Sequence, residues 1–289
     1  MFTLPVAGTE IAVHRSGSSN GSGTPVVLLH CSAAGARQMQ VFAEALRDRF
    51  TVGPLDILIP DLHGYGASAT RQGAHPLRLA HEAAIVASLS RHVGGPVHVI
   101  GHSYGGAVAL AAAHGRPDLV RSLVLIEPVS FHLLQGGDSR DDTLLAEIGR
   151  VAGAVRQGVL TDRPEAGMAA FVNFWSGPGS WEGLSQRARA AMAQHAPQVA
   201  RNFQAAFDHP TRLHDITRFP VPTRLIYGGR TRPIARRIVE LIERTLPDVS
   251  LRIVPEAGHM APLSDPCATA ALAAAQLCLI QPNPVTSAA

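Results

Sequence analysis

The chain has 289 residues, of which 46% are apolar and 16% charged, with a formal net charge of +3. That balance can fill one large core and excludes a disordered chain or a polyelectrolyte. The arginines are scattered, with no basic run or aromatic-interleaved stripe of the kind that tracks a phosphate backbone, so no nucleic-acid partner is expected.

This length is near the size at which a single core stops growing, which predicts one domain carrying an inserted piece. The opening MFTLPVAGTE has no basic run followed by an apolar stretch, and no segment reaches the roughly 18 apolar residues of a membrane span. The expectation is a cytoplasmic chain with no membrane partner. Cys31, Cys267 and Cys278 are odd in number and lack metal-ligand spacing, which predicts reduced thiols rather than a disulfide framework or a zinc site.

In chain order, FTLPV (2–6) and TEIAVHRSG (9–17) predict an antiparallel hairpin at a sheet edge, and SGSSNGSG (16–23) a polar turn. Six short Val-, Ile- and Leu-rich runs follow: TPVVLLH (24–30), LDILIPD (55–61), PVHVIGH (96–102), VRSLVLIEP (120–128), TRLIYGG (223–229) and LRIVPEA (251–257). Most are continuously apolar rather than alternating, the pattern of parallel strands covered on both faces. Helical spacing falls between them over 36–48, 77–92, 104–114, 234–246 and 268–279. Strand and helix alternate, so the class is α/β, with a mostly parallel eight-stranded sheet and helices on both faces. The alternation stops between 131 and 215, where RDDTLLAEIGRVAGAV and LSQRARAAMAQHAPQVARNFQAAF have helical spacing and no strand is visible. About 85 residues is too long for one crossover, which predicts a core of 1–130 and 216–289 with a helical cap inserted at 131–215. The tail QPNPVTSAA is expected to fray.

The strongest chemical signal is GHSYG (101–105), directly between the strand PVHVI and the helical run AVALAAAH. A serine at such a corner needs strained backbone angles and small neighbours, which Gly101 and Gly105 supply. Ser103 is then lifted above the sheet, over a helix N-terminus whose N–H groups face a developing oxyanion. His259, in EAGHMAP past the last strand, stands at the same sheet end and follows the serine in chain order, as a base for it should. His30, His63 and His102 occupy separate loops without acidic partners nearby in sequence, so no metal is expected.

Taken together, VVLLHCSAAG, PDLHGYGAS, VIGHSYGG and EAGHMAP resemble the cap-bearing α/β-hydrolase superfamily, in matching order from about residue 2 to 279. The resemblance implies a serine hydrolase acting on an ester or related acyl bond of a small, largely apolar substrate, without a cofactor, as a monomer or homodimer. In that superfamily the acid usually follows the seventh strand, where Thr231 stands here. Its second solution puts the acid at the end of the sixth strand, where Glu127 stands; acidic residues there also shape the loop leading into the cap. Other arrangements stay open: Asp61, Asp208, Asp215 and Glu256 are weaker candidates, and a site with no carboxylate is a further one. The oxyanion donors are expected from Tyr104 and, by alignment with the superfamily's His-Gly-X loop, from Ser32, with Cys31 replacing the glycine. Cys31 is expected as a small buried filler.

In a chain with 5% aromatics, FVNFWSGPGSW gathers Phe171, Phe174, Trp175 and Trp181. They read either as a core internal to the cap or as an apolar lid over Ser103. The expected pocket is Cys31, Phe131, Phe171, Phe174, Trp175 and Met260. C–C bond hydrolysis, lactone opening, amide cleavage and perhydrolysis stay open beside ester hydrolysis, as does a ligand-binding role with slow or absent turnover.

Overall fold

The computed structural model describes residues 1–17, 23–72 and 75–280. Most of the turn expected at 16–23, and the whole tail 281–289, lie outside the described residues. One sheet holds β1 (Phe2–Val6), β2 (Thr9–Gly17), β3 (Thr24–Leu29), β4 (Leu55–Pro60), β5 (Val97–His102), β6 (Val120–Ile126), β7 (Thr223–Gly228) and β8 (Val249–Val254). Their order is β1-β2-β4-β3-β5-β6-β7-β8. The β1–β2 hairpin lies at the edge and β2 runs antiparallel to β4, while every pairing from β4 to β8 is parallel. β8 ends at Val254 rather than 257, because the chain turns through Pro255 and the Ala257 N–H bonds back to the Val254 carbonyl.

Ten α-helices accompany the sheet in the described residues: α1 (Gln40–Arg49), α2 (Leu79–His92), α3 (Tyr104–Gly115), α4 (Ser139–Leu160), α5 (Pro164–Ser176), α6 (Gln186–Ala193), α7 (Ala196–Phe207), α8 (Pro233–Thr245), α9 (Ala261–Ser264) and α10 (Pro266–Leu279). Successive side chains of a strand point to opposite faces, and here both faces are dry. Val27, Leu29, Val99, Leu125 and Leu225 join the core with α2, α3 and α8. Their neighbours Val26, Leu28, Ile100, Val124 and Ile226 join a second core with α1 and α10. Two cores on one sheet are why the strand sequences are continuously apolar. α3 is buried almost throughout, so its sequence is apolar all round, without a polar face.

Between β6 and β7 every regular element is helical, with 3₁₀ turns at Phe131–Leu134 and Leu213–Ile216 flanking α4 to α7. α4 packs on α5 and α7, and α7 reaches α3. Among the described residues no helix is long and apolar enough to cross a membrane.

The fold also buries neutral histidines. Burial pushes His102 and His132 down to about 3 and His98 to about 4, and lowers His30. An unfolded imidazole takes its proton near 6.5. Between 6.5 and the folded values the unfolded chain therefore binds more protons, and stability falls with falling pH. Each imidazole can remove up to about 1.4 kcal/mol per pH unit in that window. The expected result is a melting temperature that drops from pH 7 to pH 5, above the carboxylate range; a flat profile there would contradict the burial of these rings as neutral groups.

Candidate active site

Ser103 stands where β5 meets α3, with φ 55° and ψ −115°. A non-glycine residue in that region carries roughly 1–3 kcal/mol of strain, which the surrounding bonds hold in place. The Ser103 N–H donates to the Ile126 carbonyl at 2.9 Å, and its own carbonyl accepts from Gly106 and Ala107 at 2.9 and 3.1 Å. The flanking glycines are required by contact: a Cβ on Gly101 would stand 2.2 Å from the Gly105 carbonyl oxygen, and one on Gly105 would stand 2.4 Å from that of Leu29. With them in place the serine is 6% exposed at the C-terminal end of the central strand.

His259 comes from the loop between β8 and α9. Its Nε2 accepts from the Ser103 hydroxyl at 2.9 Å, and its Nδ1–H donates to Glu127 Oε2 at 2.6 Å. Glu127 directly follows β6, has φ 47° and is fully buried. Its carboxylate also accepts from the Gly228 N–H at 2.8 Å and from the Thr231 hydroxyl. Burial pushes the Glu127 carboxyl up, but the bonds from His259, Thr231 and Gly228 outweigh it, and the net direction is below the ordinary value. Thr231, where the resemblance would put the acid, thus hydrogen-bonds a carboxylate that stands one strand away.

The imidazole is also fixed by its surroundings. Trp175 stacks on it, with ring centroids 3.9 Å apart and planes at 25°. His102 Nε2–H donates to the His259 backbone carbonyl at 2.8 Å. Burial holds His102 down at about 3, so it stands beside His259 as a neutral ring.

Two chambers meet at Ser103. One is walled by Val129, Phe131, Phe203 and Ala206, with Ser32, Tyr104 and Asn202 as its polar members. The other takes in His259, Cys31, Gln38, Met192 and Met260. Phe171 and Trp175 border both. Phe174 stands behind Trp175 instead, edge-on to it at 4.9 Å with the Arg232 guanidinium over its ring, so it corrects the expectation of a pocket residue. Burial raises the Cys31 thiol to about 12, which makes it an inert filler. Cys31 replaces the superfamily's glycine without backbone strain, since the left-handed residue of this loop is Ala33, with φ 58°.

The remaining candidates have other partners. Asp61 accepts the N–H groups of Ala36 and Ala67 at 2.7 and 3.0 Å and ties two loops together. Glu256 pairs with Arg230 in the open, and Asp215 accepts the Arg212 N–H. His30 donates from Nδ1 to the Cys31 carbonyl and accepts the Leu62 N–H at Nε2, while His63 donates to Glu82 at 2.8 Å. Sequence reasoning missed Asn202, Phe203, Ala206 and Val129, none of which lies in a motif.

A sequence profile described as the Alpha/beta hydrolase family matches residues 26–272. The lipase LipV of Mycobacterium tuberculosis is 45% identical over 75 residues, 26% of this chain and 28% of that one. A 2-hydroxy-6-oxo-2,4-heptadienoate hydrolase of Pseudomonas putida is 36% identical over 128 residues, 41% and 43% of the two chains. The chain thus spans less than half the length of these two relatives. The crystal structure of a hydrolase from Pseudomonas aeruginosa superposes with a TM-score of 0.73 at 23% identity, over 96% of this chain and 97% of that one, and at that identity it speaks for the fold alone. With the profile running from β3 into α10 around the described site, the chain belongs to the alpha/beta hydrolase family.

Proposed function

We propose that the protein is a serine hydrolase that cleaves an ester or related acyl bond of a small, largely apolar substrate, with Ser103, His259 and Glu127 as its triad. The observation that carries this reading is the unbroken hydrogen-bond chain from the Ser103 hydroxyl through both His259 nitrogens to a buried carboxylate. The lipase name of one relative supports the bond type. Ser103 Oγ attacks the acyl carbon as His259 Nε2 takes the proton, and the imidazolium is held by Glu127. The carbonyl electrons move onto oxygen, which the N–H groups of Tyr104 and Ser32 bind. Collapse expels the leaving oxygen, which receives the proton from Nε2; water then repeats the sequence on the acyl-enzyme. None of these steps requires a cofactor. Residues 131–215 act as a cap that brings Phe171, Trp175 and Phe203 over the nucleophile and excludes water.

This chemistry also orients the substrate. The leaving oxygen must face His259, so the alcohol part occupies the chamber that this residue lines, and the acyl chain lies in the other, against Phe131 and Phe203. Phe203 stacks with Phe131 at 6.0 Å and with Phe207 at 6.3 Å, closing the acyl side. Hydrolysis of p-nitrophenyl esters is therefore expected to favour acetyl and butyryl over octanoyl. Phe203→Ala should raise the octanoyl-to-butyryl ratio of kcat/KM by about tenfold or more, given the worth of a few methylenes in an apolar pocket. A long-chain preference in the wild type, or a ratio the substitution leaves unmoved, would reverse the assignment of the chambers.

A further inference from the structure

We propose that Asn202 is a positioning residue for the oxyanion hole, through which α7 holds the Ser32–Ala33 loop at the height the developing oxyanion requires. This inference rests on the serine-hydrolase reading of the same site. Asn202 is 1% exposed. Its Oδ1 accepts two hydrogen bonds, from the Ser32 hydroxyl at 3.0 Å and from the Tyr65 hydroxyl at 2.5 Å. The Tyr65 oxygen in turn accepts the Ala33 N–H at 3.1 Å. That order fixes the amide orientation, since a phenol whose oxygen accepts from Ala33 turns its hydrogen toward Asn202. Burial raises the Tyr65 hydroxyl well above its usual range, so it stays a donor.

The Ser32 bond thus ends on the loop that carries the second oxyanion donor, and the Tyr65 bond reaches the same loop through the Ala33 N–H, where Ala33 is held left-handed at φ 58°. A left-handed alanine needs its surroundings to hold it there. Asn202, Phe203 and Ala206 lie on one helix and border the acyl chamber with Ser32 and Ser103. The wall that meets the acyl chain and the clamp on the oxyanion loop are thus one rigid element. In the structure as described, a displacement of α7 cannot leave the Ser32–Ala33 loop untouched.

The test uses the full chain with Asn202→Ala, Tyr65→Phe and the double variant, on p-nitrophenyl butyrate and on a trifluoromethyl ketone that forms a tetrahedral adduct. Asn202→Ala should lower kcat by about tenfold to a hundredfold with KM within about a factor of two, because the lost interaction acts on the transition state. Affinity for the ketone should fall by the same factor as kcat. Tyr65→Phe should show a smaller loss of the same kind, and the double variant should be no worse than Asn202→Ala, since both act through one loop. Hydrogen exchange of the Ala33 amide, which needs no turnover, should quicken in each variant. A change in KM alone, additive losses, or unaltered exchange at Ala33 in folded protein would overturn the proposal. Wild type that neither turns over nor forms the ketone adduct would instead break the hydrolase reading, and exchange would still decide whether Asn202 holds the loop.

Discussion

Replacing Ser103 with alanine is expected to lower kcat on a short-chain p-nitrophenyl ester by on the order of 10⁵–10⁶. The loss is this large because the described site offers no other activated nucleophile. The Cys31 thiol is kept protonated by burial, and the serine hydroxyl alone bonds His259 Nε2. A residue of activity should survive, since the oxyanion donors still polarise a bound ester toward water, a contribution of about 10³–10⁴ over the uncatalysed rate. The fold should hold, because serine and alanine carry the same Cβ at φ 55° and the backbone bonds of the elbow are untouched. A fluorophosphonate gives a second readout: the wild type should be labelled and the variant not. Persistent labelling of the variant would point to another nucleophile, and an unlabelled, folded wild type would favour ligand binding over catalysis.

The meeting of Ser103 and His259 at one end of the sheet was legible in the sequence because the signals are local. A serine between two glycines at a strand-to-helix corner is a constraint written into five consecutive residues, and each glycine is needed by a carbonyl within 2.5 Å of where its Cβ would stand. The central strands were legible for a related reason, since burial on both faces leaves no room for polar alternation in β4, β5 and β7. Boundaries were less so. The run 36–48 begins as a 3₁₀ turn, Ala36–Met39, because Asp61 of a distant loop accepts the Ala36 N–H and tethers that end. The run 184–207 divides into α6 and α7, with Pro197 in the first turn of the second. Proline supplies no N–H and is accommodated only there.

Contacts across the chain were not legible. Asn202 sits in an alanine-rich amphipathic helix where nothing marks it, and it meets Ser32 from 170 positions away. Phe174 and Phe171 are the same residue type three positions apart, yet helix phase turns one toward Arg232 and the other toward Ser103. Glu127 is the intermediate case. Its strand end was readable, but only the fold could bring Glu127 to a histidine 132 positions later and set Thr231 beside the same carboxylate.

Glu127→Gln is the variant that tests that arrangement, with an expected loss in kcat of about 10²–10⁴ and little change in KM. The argument concerns a tautomer. The carboxylate accepts the Nδ1–H of His259, which leaves Nε2 as the acceptor for the serine proton. A glutamine carbonyl at the Oε1 place can still take the bond from the Gly228 N–H, which puts the amide nitrogen at the Oε2 place, donating toward Nδ1 and the Thr231 oxygen. The ring then carries its proton on Nε2 and cannot accept from Ser103. The fold should tolerate the exchange, because glutamine keeps the shape of the side chain at a fully buried position. Adding Thr231→Asp to this variant puts a carboxylate on the residue that already reaches Glu127, at the seventh-strand position that the family resemblance favours. Recovery of at least about tenfold in the double variant would show that the ring needs a nearby acceptor charge rather than Glu127 as such. If Glu127→Gln keeps its rate within about tenfold of wild type while remaining folded, the carboxylate is a structural anchor for the loop after β6, and His259 is oriented by Trp175 and the His102 bond to its backbone.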